Sequence, residues 1–155
     1  REEWLGNRPS HACTMRRCLD FLPSKQVFQL AIRSGTREEF QELKTDARLI
    51  PHQHGGSANR LAEALAPFLG KPIYITVDLD WFDPSIMPGT GTPEPGGFLW
   101  QDFEAVVDTL KIHNLIGGDI VELAPKLDAS SISSVLAAKV TRSLLMLLSL
   151  SHYPV

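Results

Sequence analysis

Asp78 and Asp80 stand two apart where the apolar run Ile73 to Leu79 (IYITVDL) gives out. In an extended strand residues i and i+2 project from one face, so this spacing brings the two carboxylates together. Held so close, they repel unless a cation lies between them or one takes up a proton. Carboxylate oxygens suit a hard divalent ion such as Mn²⁺ or Mg²⁺. The same pair reads as well as loop caps bonded to backbone amides. Glu122 lies near the end of a second apolar run, Gly117 to Leu123 (GGDIVEL). Alone it reads as the partner of a nearby Lys or Arg. His11, after Ser10 in polar text, reads alone as a surface residue. His52 and His54 (PHQHGGS) carry metal-binding side chains but have no Cys or acidic neighbours, so they read as solvated.

Elements must position these groups, and their pattern alternates. Ser10 to Phe21 reads as a short helix ended by Pro23. Gln26 to Arg33 (QVFQLAIR) is β-rich, and Ala47 to Ile50 is a second short strand. Helical spacing covers Thr36 to Leu43, Asn59 to Leu69, Trp100 to Ile112 and Val135 to Leu150. Ile73 to Leu79 is the clearest strand, a near-continuous apolar run expected of a parallel strand buried on both faces. Gly117 to Leu123 is another buried strand, closed by Pro125. Strands alternating with helices indicate an α/β fold with a parallel sheet. In such sheets ligands sit beyond the carboxyl ends of the strands, where Asp78, Asp80 and Glu122 fall.

The chain has 155 residues, with 15 Lys+Arg against 18 Asp+Glu, which suits one domain or part of a larger one. A net charge of −3 without a basic block argues against nucleic acid as the main partner. The longest apolar stretch, Ser143 to Leu150, falls short of the ~20 residues a membrane helix needs, so no membrane association is expected. Cys13 and Cys18 form no disulfide framework; they read as buried packing residues and fit a reducing compartment. Arg16 and Arg17 read as an ion-pair or subunit contact.

An apolar strand followed by D-x-D is also how haloacid-dehalogenase-type phosphatases present nucleophile and acid, and glycosyltransferases a metal site. The phosphatase pattern wants Thr or Val soon after the second Asp, near the N-terminus; here Trp81 and Phe82 follow, midway along the chain. The longer text decides the matter. Asp78 to Gly97 reads DLDWFDPSIMPGTGTPEPGG and resembles the ureohydrolase family of arginases and agmatinases. GGDIVELAPKLD (Gly117–Asp128), AAKVTR (Ala137–Arg142) and SHACTMRR (Ser10–Arg17) are similar to further segments of that family. IRSGTREE (Ile32–Glu39) and the Thr-Pro-Glu-Pro-Gly-Gly wording resemble agmatinases more than arginases.

The resemblance implies a three-layer α/β arginase-like fold with a mainly parallel sheet. It implies hydrolysis of a linear amidine, agmatine to putrescine and urea, a polyamine-forming step in the cytoplasm, at a two-manganese centre. Guanidinobutyrase or arginase activity is the alternative within the family. Asp78 and Asp80 match metal ligands, and such a centre lowers the pKa of a water at neutral pH. Glu122 matches the carboxylate that meets the forked guanidinium. His11 matches the histidine that binds substrate and passes a proton to the leaving amine, work suited to a group titrating near neutral pH. A homo-oligomer is implied for the complete protein. Asp83 and Pro84 are expected to turn the chain out of the strand. Gly89 to Gly97 lacks a following Lys-Ser/Thr, so it is read as a rigid loop shaping the site, not a phosphate cradle.

One departure limits this. The family takes its other metal ligands from Gly-Gly-Asp-His and Asp-Ala-His-x-Asp segments, and neither occurs here. Residues 1–155 therefore resemble the C-terminal part of a single ureohydrolase domain lacking its N-terminal strands. Two carboxylates cannot hold two divalent ions tightly, because water would fill most of the coordination sphere. The sheet, without a strand between those of Asp78 and Val27, is expected to split in two or to pair wrongly, exposing edges. The 155-residue chain alone is expected to be inactive and marginally stable. The competing reading is a short non-catalytic binding module associated with a full-length relative.

Overall fold

The structure is a computed structural model that describes residues 1–45, 49–50 and 56–152. His52 and His54 lie outside the described residues. Among the described residues four strands form: β1 (Gln29–Leu30), β2 (Leu49–Ile50), β3 (Pro72–Asp78) and β4 (Asn114–Val121). They pair in parallel as two separate two-stranded sheets, β1 with β2 and β3 with β4. The sheet is thus divided, as the missing central strand predicts. The β1 strand is shorter than its β-rich sequence suggests: among the described residues it pairs over Gln29–Leu30, and Ala31 then turns to a left-handed φ of 65°.

The helices are α1 (Thr14–Cys18), α2 (Arg37–Thr45), α3 (Ser57–Leu65), α4 (Trp100–Leu110) and α5 (Ile132–His152). Pro67 converts the end of α3 into a 3₁₀ turn, Ala66–Phe68, by removing an amide the α-helix needs. Residues three and four apart on α3, α4 and α5 are buried in one cluster with Ile50 and Leu115: Leu61, Leu65, Val106, Leu110, Leu144 and Leu147. A second cluster, Leu79, Phe82, Met87, Phe103, Ala137 and Val140, lies beneath the loop that follows β3. It is the floor of the candidate site.

Two expectations change. First, β3 is not buried on both faces. Ile73, Ile75 and Val77 turn toward the core while Tyr74, Thr76 and Asp78 face outward, with Tyr74 61% exposed. Polar groups make the open face tolerable: Asp119 accepts hydrogen bonds from the Tyr74 hydroxyl at 2.9 Å and the Thr76 hydroxyl at 2.6 Å. Second, Ile132–Ser151 is long and apolar enough to cross a membrane by length and composition. Its Ser and Thr residues interrupt the apolar run, yet the mean hydropathy of the helix stays at 1.4. One stripe, Val140, Leu144 and Leu147, is buried against the core, and Val135, Leu145 and Met146 stay exposed.

The N-terminal segment is held by charge. Glu2 meets Arg8, Arg16 and Arg17, and Asp20 meets both Arg16 and Arg17, so this Arg pair does form ion pairs. Cys13 is buried and Cys18 half-buried, and both are free thiols.

Candidate active site

The register of the larger sheet sets the geometry. Asp78 is opposite Val121, so Asp78 and Glu122 leave their strands side by side. Past Asp78 the chain tightens into a 3₁₀ turn, Leu79–Trp81, and Asp78 Oδ1 accepts the Asp80 amide at 3.1 Å. The loop-cap reading is therefore realised by Asp78, and it leaves the other carboxylate oxygen free of this bond. Asp80 Oδ2 accepts the Thr92 hydroxyl at 3.1 Å. Burial of its carboxyl, the charge of Asp80 and, more weakly, that of Glu122 push Asp78 up to about 6. The three carboxylates share one electrostatic environment.

Glu122 adopts a φ of 67°, which costs a side-chain-bearing residue energy and is commonest at functional sites. The loop Asp83–Gly97 walls this region. A methyl group on Gly91 would lie 3.8 Å from Glu122 Oε2, so the loop backbone runs directly past that carboxylate. Gly89 is anchored at both backbone groups, its amide donating to the buried Ser133 hydroxyl at 2.7 Å and its carbonyl accepting the Ala124 amide at 2.8 Å. Asp128 in turn accepts the Ser130 hydroxyl and the amides of Ser130 and Ser133, which hold its carboxyl well below the usual range.

Asp83 acts inside the loop, as its position in the turn predicts. Its carboxylate accepts the Ser85 amide at 2.9 Å, Gly96 at 2.9 Å and Gly97 at 3.2 Å, and these bonds hold it down at about 2. Trp81 stacks on Phe98 with ring centroids 4.2 Å apart, over the buried Phe82. Hydrogen bonds to Asp83 and ring contacts around Trp81 thus tie the two ends of the loop together, while the buried Thr90 hydroxyl within it has no hydrogen-bond partner among the described residues.

His11 sits elsewhere in the pattern of contacts. It opens the 3₁₀ turn His11–Cys13, is exposed, and its carbonyl accepts the Thr14 hydroxyl at 3.0 Å. Among the described residues it makes no hydrogen bond or ion pair with Asp78, Asp80 or Glu122. Two participants were not singled out from sequence. Thr92 lies in the quoted Gly-Thr-Gly-Thr-Pro text, whose only local signal was turn composition. Arg33 follows β1, and its side chain reaches the loop after β3; a lone cation at the end of a β-rich run was the only clue.

The donor set can be weighed against a divalent cation. Two hard carboxylate oxygens held together match the chemistry of Mn²⁺. Their number does not complete a site, since no group of three or more His, Cys, Asp or Glu able to hold a metal occurs among the described residues.

Known proteins resemble this chain along most of its length. The chain is 36% identical over 148 residues to an agmatinase of Halalkalibacterium halodurans, covering 94% of this chain and 50% of that protein. It is 34% identical over 154 residues to an N(1)-aminopropylagmatine ureohydrolase of Synechocystis, covering 94% and 47%. The crystal structure of an agmatine ureohydrolase from Thermoplasma volcanium superposes with a TM-score of 0.78 at 30% identity, over 96% of this chain and 51% of that one. The chain thus spans about half the length of the curated relatives it matches. The arginase family model aligns with residues 1–147, a span holding all three carboxylates, the loop between them and His11, and the chain belongs to the arginase family.

Proposed function

We propose that the complete protein hydrolyses a guanidino compound, agmatine, to putrescine and urea in the cytoplasm, as a homo-oligomer. The observation that carries this is the convergence of Asp78, Asp80 and Glu122 beside the Gly91–Thr92 backbone. Curated agmatinases among the relatives support the choice of agmatine. Free thiols at Cys13 and Cys18 are in keeping with a reducing compartment.

In this reading Asp78 and Asp80 hold Mn²⁺ together with ligands from outside this chain. Manganese, when bound, supplies a water activated at neutral pH for attack on the guanidinium carbon. Glu122 pairs with the guanidinium through two parallel N–H···O contacts, fixing the plane of the substrate. Its strand-end position and left-handed backbone aim the carboxylate along the loop wall. A C–O bond forms at the guanidinium carbon and the bond from that carbon to the nitrogen bearing the aminobutyl chain breaks, so the departing nitrogen needs a proton to leave as the amine of putrescine. In this reading His11 delivers it. Thr92 keeps Asp80 oriented by its hydroxyl.

Urea release from agmatine by the complete protein tests this. Asp80→Ala and Glu122→Ala are expected to abolish turnover, and wild-type rates in either would overturn the assignments. A longer substrate, of the aminopropylagmatine type, is the second reading, favoured by the Synechocystis relative. A kcat/KM higher for that compound than for agmatine would select it.

A further inference from the structure

We propose that Arg33 is a positioning residue for the metal-binding aspartates, an inference that rests on the reading of Asp78 and Asp80 as ligands. Its guanidinium is the hub of the loop. Nη2 donates to the carbonyls of Asp80, Phe82 and Glu94, Nη1 to that of Trp81 at 3.5 Å, and Nε to Glu94 at 3.1 Å. Four carbonyls from two separate stretches of chain thus converge on one side chain.

The two stretches are the ones that place Asp80. Residues 80–82 carry its own backbone, and Glu94 follows Thr92, whose hydroxyl orients its carboxylate. Arg33 itself lies three residues beyond β1, whose sheet shares no strand pairing with β3 and β4 among the described residues. Only a rigid planar fork with five donors spans such a set. Lysine keeps the charge but presents one compact ammonium, which cannot meet carbonyls of both stretches in the same geometry. Among the described residues no carboxylate pairs with Arg33, so these dipoles, rather than an ion pair, account for its position. The side chain therefore acts on Asp80 through the backbone, in the manner of groups that orient metal ligands from outside the coordination sphere.

The test uses the complete parent protein and Mn²⁺ alone, with affinity measured by the electron paramagnetic resonance of free Mn²⁺ at a temperature where each variant is folded by circular dichroism. Arg33→Lys is expected to weaken Mn²⁺ binding roughly tenfold or more, and to alter the spin-coupled signal of the bound ions. A role in folding alone would lower Tm and leave both readouts of the folded protein unchanged. Asp80→Asn is the control for the underlying site. If it keeps full affinity, the metal reading fails and this proposal with it; if it loses the metal while Arg33→Lys binds as wild type, only the role of Arg33 is refuted. Should the lysine variant not fold, selectively labelled Arg33 Nε–H is followed in the wild-type protein during titration with Mg²⁺. A shift with the same midpoint as the Asp80 amide supports the proposal, and a stationary signal overturns it.

Discussion

Adding one methyl group at Gly97 tests whether the loop is as tightly built as its contacts indicate. The methyl carbon of Gly97→Ala would lie 2.5 Å from the Asp83 nitrogen, 2.5 Å from the Phe82 carbonyl carbon and 2.6 Å from its oxygen. Normal contact begins near ~3.5 Å, so roughly 1 Å of backbone movement is needed. These atoms are backbone and cannot swing aside as a side-chain tip would. They also lie in a bridge: the Asp83 amide donates to Phe98 O at 2.9 Å and the Phe98 amide to Trp81 O at 3.0 Å. Overpacking typically costs ~1–3 kcal/mol, and two weakened hydrogen bonds add about 2 kcal/mol. The expected loss is about 3–5 kcal/mol, read from urea unfolding followed by tryptophan fluorescence, since Trp81 stacks on Phe98. Two glycines of the same loop serve as controls. Gly91→Ala gains only an ordinary contact at 3.8 Å and should change stability by less than ~0.5 kcal/mol. Gly96→Ala meets nothing within 4 Å but must hold a φ of +81°, a cost of about 1–2 kcal/mol. A Gly97→Ala protein as stable as Gly91→Ala would refute the argument that this loop cannot yield.

Three further outcomes are expected. Mn²⁺ must displace the proton that Asp78 holds up to about 6, so affinity measured by calorimetry should be level above that pH and fall about tenfold per unit below it; a flat profile down to pH 5 would contradict the raised carboxyl. His113 is buried and its pKa is lowered by that burial, so the unfolded chain protonates first. Its contribution to stability is fully present above the ordinary value of 6.5 and is lost progressively as pH falls from there toward its lower folded value. Asp78, with a raised pKa, pulls in the opposite direction, so Tm from pH 7.5 to 5.5 is compared for Asp78→Asn alone and with His113→Gln, and equal slopes would exclude His113. Leu115, fully buried on β4 against the helices, should lose about 2–5 kcal/mol as Leu115→Ala in urea unfolding, and a loss under ~1 kcal/mol would mean that the surroundings collapse to fill the gap.

Local pattern carried much of this protein. Strand β3, the helices α3 to α5 and the parallel α/β class follow from apolar spacing, because burial of one stripe or run is what stabilises each element. Asp78 and Asp80 were legible as a pair because an extended backbone puts i and i+2 on one face, whatever the surrounding fold. The joining of Glu122 to that pair was not a local matter: it depends on the register that sets Asp78 opposite Val121, and register is decided by strands meeting across more than forty residues of chain. Arg33 is the plainest case. Nothing in IRSGTREE announces that its guanidinium will meet four carbonyls near Asp80, since those oxygens converge only once the loop has closed on Asp83. The open face of β3 was also beyond local reading, because Tyr74, Thr76 and Asp78 look alike in sequence whether or not another layer covers them. Residue types and spacing determine which groups can do chemistry; the tertiary contacts between sheets and loops decide which of them meet, because directional hydrogen bonds and carboxylate repulsion act through space and not along the chain.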